Sequence, residues 1–177
     1  MIYRITLCCL FALLFTSCTG SKGTSDRVSD KILAKFARKM EGRGLRMVGS
    51  GGGINHRLKK INLISATFKY DGMMMDVENA RCLIVDSSEV FLNLINSDPN
   101  NEQFFESFPV PSNILDLGII GKQPEDNKVE YIEVVSLLHD KVRYLTDKIR
   151  PKIGPYTTVH EESFQKAQAI VNKEGCS

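Results

Sequence analysis

The segment that most constrains this chain runs from Val77 to Asn96, where Val77, Ala80, Leu83, Ile84, Phe91, Leu94 and Ile95 recur at three- and four-residue spacing. Asp76 can cap its start, and Asp98-Pro99 stops it. A helix with so broad an apolar stripe is a central packing element, and it needs a second apolar surface to cover it.

The neighbouring segments supply strands. Ile61 to Tyr70 alternates, with Ile64, Ala66, Phe68 and Tyr70 on one face and Ser65, Thr67 and Lys69 on the other, before Asp71-Gly72 ends it. Leu45 to Val48 is a shorter strand running into Gly49-Ser50-Gly51-Gly52-Gly53. Phe104, Phe105 and Phe108 lead through Pro109 and Pro111 to a strand over Asn113 to Gly121. Val129 to Leu138 and Lys141 to Thr146 are rich in Val, Ile, Leu and Tyr, and His139-Asp140 between them suits a two-residue hairpin turn.

Two further helices bracket these strands. From Asp26 to Met40, with Ser25 as cap, Val28, Ile32, Leu33, Phe36 and Met40 form a stripe. Its other side carries Lys31, Lys35, Arg38 and Lys39, which reads as a solvated face because Asp26, Asp30 and Glu41 dilute the charge; the competing reading is a membrane-surface helix. After Pro151 and Pro155, Thr158 and Glu161 have capping-box spacing for a last helix to Lys173, with Phe164, Ala167, Ile170 and Val171 inward. The order is helix, two strands, helix, three strands, helix. Lacking strict alternation of strand and helix, it implies an α+β fold: an antiparallel sheet of about five strands with helices on one face, formed by residues 26–177 as a single domain.

The first 25 residues stand apart. Arg4 precedes an almost unbroken apolar run from Ile5 to Phe15, too short to span a bilayer, so residues 1–17 read as an export signal. Residues 18–25, Cys-Thr-Gly-Ser-Lys-Gly-Thr-Ser, form a polar tether. Phe15-Thr16-Ser17-Cys18 resembles the bacterial lipoprotein signal, whose lipobox runs Leu, a small residue, Gly or Ala, Cys; Phe15 stands where Leu is usual. The resemblance implies cleavage before Cys18, diacylglycerol on its sulfur, and a lipid-anchored protein of a bacterial membrane. With Thr19 in place of Asp, it implies the outer membrane in a Gram-negative host. A second resemblance rests on Val48 to Gly53 and on Ala80-Arg81-Cys82-Leu83 leading to Phe91-Leu92-Asn93-Leu94-Ile95-Asn96. These segments, under half the chain, look like parts of uncharacterised lipoproteins of intracellular bacteria, a group that supplies no activity and no site residues.

Charge and motif content narrow the function. The 23 basic and 21 acidic residues nearly cancel, and no basic stripe suggests a nucleic-acid partner. Of the five cysteines, Cys8 and Cys9 leave with the signal. Export permits a disulfide between Cys82 and Cys176, but Cys82 in an apolar helical pattern and Cys176 in a tail read as a small buried thiol and a loose one. His56, His139 and His160 make no metal-ligand spacing, Gly49-Ser50-Gly51 is not a nucleophile elbow, and the pairs Asp86/Glu89 and Glu130/Glu133 have the spacing of solvated faces. The glycine run lacks phosphate-loop spacing and reads as a bulge or close backbone approach, with an anion nest as the competing reading. Met73-Met74-Met75 and the three phenylalanines read as core packing, although either could line a binding surface.

The sequence therefore points to no catalytic, cofactor-binding or metal-binding residue, and Cys18 is the one site it implies. The expectation is a non-enzymatic envelope lipoprotein that binds a partner protein or another envelope component. The alternative is a carrier of a lipid or small molecule, with an apolar pocket between helix and sheet beside Phe104, Phe105 and Phe108.

Overall fold

The computed structural model describes residues 24–122, 131–146 and 156–176; the Cys18 site, the signal and most of the tether lie outside these, as do Val129, Glu130, Pro151 and Pro155. In chain order the elements are helix α1 (Thr24–Glu41), strands β1 (Leu45–Asn55) and β2 (Lys60–Tyr70), helix α2 (Val77–Asn96), two short 3₁₀ helices (Pro99–Phe104 and Ser112–Ile114), strands β3 (Leu115–Ile120), β4 (Val134–Leu138), β5 (Lys141–Thr146) and β6 (Thr157–Ser163), and helix α3 (Phe164–Glu174). The strands form one sheet in the order β1-β2-β3-β4-β5-β6. Neighbours are antiparallel except β2 and β3, which run parallel. The fold is α+β as expected, and the sheet is mostly antiparallel with six strands where about five were expected, one neighbouring pair being parallel.

Both differences have a physical origin. β2 leaves the sheet at Tyr70, and α2 carries the chain back across one face, so β3 starts level with Ile64 and must run the same way as β2. The sixth strand is the segment expected to open the last helix. Thr158 and Glu161 do not make a capping box; they pair with Leu145 and Arg143 of β5. An open edge on β5 would leave a row of backbone groups without partners, and pairing along seven residues satisfies more of them than a local cap does. The cap moves to Ser163, whose hydroxyl accepts from the Lys166 amide at 3.2 Å.

β1 does not stop at Val48 but continues through the glycines to Asn55. Positive φ among the described glycines falls at Gly44 and Gly175, outside the run. Close approach is what the run provides: a Cβ on Gly52 would stand 2.8 Å from the Leu63 carbonyl oxygen, a backbone atom that cannot step aside. Register shifts at Met47/Gly49 and Gly53/Ile54 bracket the run. Successive peptide groups in an extended strand point to opposite sides, so this backbone does not gather its N–H groups on one point as an anion nest does.

One face of the sheet carries the core. Ile64, Ala66 and Phe68 of β2, Leu115, Leu117 and Ile119 of β3, Val135 and Leu137 of β4, and Val142 and Tyr144 of β5 are buried on it. The three helices cover that face side by side, α1 over β1 and β2, α2 over β3 to β5, α3 over β5 and β6. α2 contributes Ala80, Ile84, Phe91 and Ile95 as its stripe predicts and Val85 in addition, while Val77, Leu83 and Leu94 pack against the margin. Asp76 caps it, accepting from the Asn79 amide at 2.7 Å. Phe36 of α1 stacks on Phe91 at 4.2 Å between ring centroids and meets Phe68 edge-on at 5.2 Å, all three buried. At the first helix's start Ser25 is not a cap; its hydroxyl donates to the Lys59 carbonyl at 2.8 Å.

Removing the Phe91 ring would open a cavity at the meeting of both helices and the sheet. Phe91→Ala is expected to cost about 3–5 kcal/mol and Ile84→Ala about 2–5 kcal/mol in urea unfolding. An unchanged midpoint in both variants would remove α2 from the core. Gly52→Ala is expected to lower stability equally with and without phosphate.

Candidate functional site

The strand directions give the sheet two ends. At one lie the β1–β2 turn and the start of α1. The other gathers the exit of β2, Met73 to Met75, the start of α2, Tyr131 and Ile132, and the start of β6. Met75 is buried, pairs with Ile132, and its carbonyl accepts from the Ile132 amide at 2.7 Å. The core reading of the methionine run holds for Met75 alone. With Met75 fixed, Met73 is left 78% exposed and Met74 40% exposed, and Tyr156 and Val159 stand out from the same end. A cleft of about 440 Å³ lies there, lined by Asp76, Val77, Glu78, Tyr131, Ile132 and Val159. Flexible, polarizable methionines beside an aromatic ring and a cleft of mixed apolar and acidic lining form a surface able to adapt to a partner.

The phenylalanines offered for a carrier pocket are mostly spent on the core. Phe105 is buried, and Phe104 and Phe108 pack against the cluster, with Phe104 also on the margin of a smaller cleft between α1 and α2. Their loop is clamped by Asn96, whose side chain donates to the Val110 carbonyl at 3.1 Å and accepts from its amide at 2.7 Å.

A buried charged group sits beneath α2 that the sequence reading did not single out. Glu162 Oε1 accepts from Arg81 Nε at 2.7 Å and from the Tyr144 hydroxyl at 2.6 Å, joining α2, β5 and β6. His160 Nε2 stands 3.7 Å from the other carboxylate oxygen, and its ring lies 5.2 Å from that of Tyr144. Burial alone would raise the Glu162 pKa, but the hydrogen bonds from Tyr144 and Arg81 and the guanidinium charge outweigh it and hold the carboxyl below the usual range. Burial first, and then Glu162, push the Tyr144 phenol well above its ordinary value. A carboxylate kept ionised by two donors, beside a phenol kept neutral, is suited to hold elements together. Its signal in the sequence was Arg81 itself, four residues after Val77 and three before Ile84, where a charge on the apolar stripe requires a buried partner.

Cys82 and Cys176 form a disulfide, Cα–Cα 5.8 Å, which corrects the reading of two separate thiols. α3 runs back along α2, and Gly175, at φ 79°, turns the chain so that Cys176 reaches Cys82. The carboxylate pairs also have structural partners: Asp86 pairs with Arg43, Glu89 accepts from Gln168 at 3.1 Å, and Glu133 is buried and accepts from the Tyr156 hydroxyl at 3.4 Å. Ser50 lies exposed on β1, and His56 and His139 are exposed in turns. No group of three or more His, Cys, Asp and Glu side chains comes together among the described residues in a way that could hold a metal ion. No protein-family model, curated protein or solved structure matches the chain.

The Glu162 contacts generate a pH dependence. Its folded pKa lies below the unfolded value, so its contribution is complete above the ordinary glutamate pKa of about 4.3 and is lost as the pH falls through the folded value. Wild type should therefore lose stability between about pH 5 and pH 3 more steeply than Glu162→Gln does, measured by urea unfolding at each pH. Parallel profiles would remove this carboxylate from the stabilising set.

Proposed function

We propose that this chain is a non-enzymatic envelope lipoprotein that holds a partner protein or another envelope component at a bacterial membrane, the outer one in a Gram-negative host. In this reading residues 1–17 are the export signal, Cys18 carries the acyl chains, and the described fold is displayed on the membrane surface. Among the described residues no helix is long and apolar enough to cross a membrane, which is compatible with attachment through the segment before the fold. A disulfide between Cys82 and Cys176 suits an oxidising compartment outside the cytoplasm.

The observation that carries the partner-binding part is the arrangement of the two ends. The chain enters the fold at Ser25, bonded to the β1–β2 turn, whereas Met73, Met74, Tyr156 and Val159 are exposed at the opposite end of the sheet. An anchor at one end leaves the other facing away from the bilayer. The carrier reading draws on the cleft of about 440 Å³ at that same far end, a volume that fits a small ligand.

Two experiments test this. Metabolic labelling with a palmitate analogue should tag wild type and fail for Cys18→Ser, and equal labelling would end the lipoprotein reading. In pull-downs from detergent-solubilised envelopes, analysed for both proteins and lipids, the double variant Met73→Asp/Met74→Asp should fold normally and lose a species that wild type retains. A protein lost in this way supports the partner-binding reading and a lipid supports the carrier. Identical capture by both forms would remove the methionine end from the function.

A further inference from the structure

The β1–β2 turn presents a basic surface next to the point where the chain enters the fold. Residues 42–70 contain no acidic side chain but six basic ones: Arg43, Arg46, Arg57, Lys59, Lys60 and Lys69. Two of these are paired at the far end of the hairpin, Arg43 with Asp86 and Arg46 with Asp71. Arg57, Lys59 and Lys60, clustered at the turn, make no ion pair among the described residues. Between them Leu58 is 55% exposed. The turn is held in shape from within: the Asn55 side chain accepts from the amides of Arg57 and Leu58 at 3.0 and 3.2 Å, and the Asn55 carbonyl accepts from the Lys59 amide at 2.7 Å. Leu58 is thus displayed by an organised turn, flanked by cations.

The position of this turn gives it a partner. Ser25 donates to the Lys59 carbonyl, so the turn and the start of α1 are one unit. Cys18 stands seven residues before Ser25, a span of at most about 25 Å when fully extended. Building on the lipoprotein reading, we infer that the turn His56 to Lys60 is a membrane-contacting finger, with Arg57, Lys59 and Lys60 meeting anionic phospholipid headgroups and Leu58 entering the interface between them. Whole-chain charge cannot give this preference, since 22 basic residues face 21 acidic ones once Arg4 leaves with the signal. Asp26 and Asp30 sit on the near part of α1 and line the cleft against Ser50 to Ile54, beside the turn. The contact need only be weak, because attachment seven residues before Ser25 gives an effective concentration on the order of millimolar. Its consequence is orientation: it stands the sheet upright on the bilayer and presents the Met73 end outward.

The test separates the finger from the anchor by using the mature chain with Cys18→Ser, which lacks acyl chains and keeps every core side chain, since these lie between Ile32 and Ala167. Sedimentation with phosphatidylglycerol vesicles at millimolar lipid and low salt should show binding that phosphatidylcholine vesicles do not. Arg57→Gln/Lys59→Gln should lower it about 25-fold, each cation near the surface being worth about fivefold. Leu58→Ser should lower it at least about fivefold with an unchanged unfolding midpoint. Arg38→Gln/Lys39→Gln, on the solvated side of α1, should bind as the parent does. Equal binding to both lipids, no binding to either, or unchanged binding by the turn variants would overturn the inference. Palmitate labelling at Cys18 reads the anchor independently, so loss of one result leaves the other standing.

Discussion

The contact of Phe36, Phe91 and Phe68 is the interaction on which the remaining geometry depends. One ring comes from each of α1, α2 and β2, and the stack of Phe36 on Phe91, closed edge-on by Phe68, fixes both helices against the sheet and against each other. α1 and α2 run in opposite directions along the strands, so fixing them also fixes the two ends. The start of α1 is placed beside the β1–β2 turn, and the start of α2 beside Met73 and Met74. A loss of order at this junction would disturb how those two ends are placed relative to each other.

The second half of the molecule is held by different chemistry. α3 buries only Phe164 and Ala167 fully, and an eleven-residue helix with so small an apolar contact needs other attachments. They come from the disulfide to α2, the Gln168 bond to Glu89, and the Ser163 cap at its start. β6, the strand before it, is fastened from within by Arg81, Tyr144 and Glu162. A buried ion pair adds little net stability over apolar packing, but removing one member costs about 3–5 kcal/mol because the other is left charged and unpaired. Such a group penalises alternative registers of β6 and so fixes which residues of that edge strand face inward.

How much of this was readable depends on whether each element is determined locally. α2 was legible from end to end because cap, stripe and stop all lie within its own sequence. The His139-Asp140 turn was legible for the same reason, and both residues take the positive φ that the tight hairpin requires. β1 was cut short because glycine has no strand preference; what keeps Gly52 there is the Leu63 carbonyl across the pair, a long-range fact. The β6 sequence reads as the opening of a helix because Thr158 and Glu161 fit a cap, while the demand for a strand comes from β5. The disulfide is not legible in the sequence because Cys176 comes near Cys82 only through the packing of α3 against α2. At the candidate end, the Met73 to Met75 run was noticed, but its division into one buried and two exposed side chains depends on the bridge to Ile132.

Under the proposed function the molecule has a membrane end and an open end, separated by the length of the β1–β2 hairpin, roughly 30 Å for strands of this length. The direct measurement places a fluorophore on Leu58→Cys or Met73→Cys in the acylated protein, bound to vesicles whose headgroups carry a nitroxide quencher. Strong quenching at position 58 with little at position 73 is the predicted result. Quenching at position 73 equal to or greater than that at position 58 would contradict the claim.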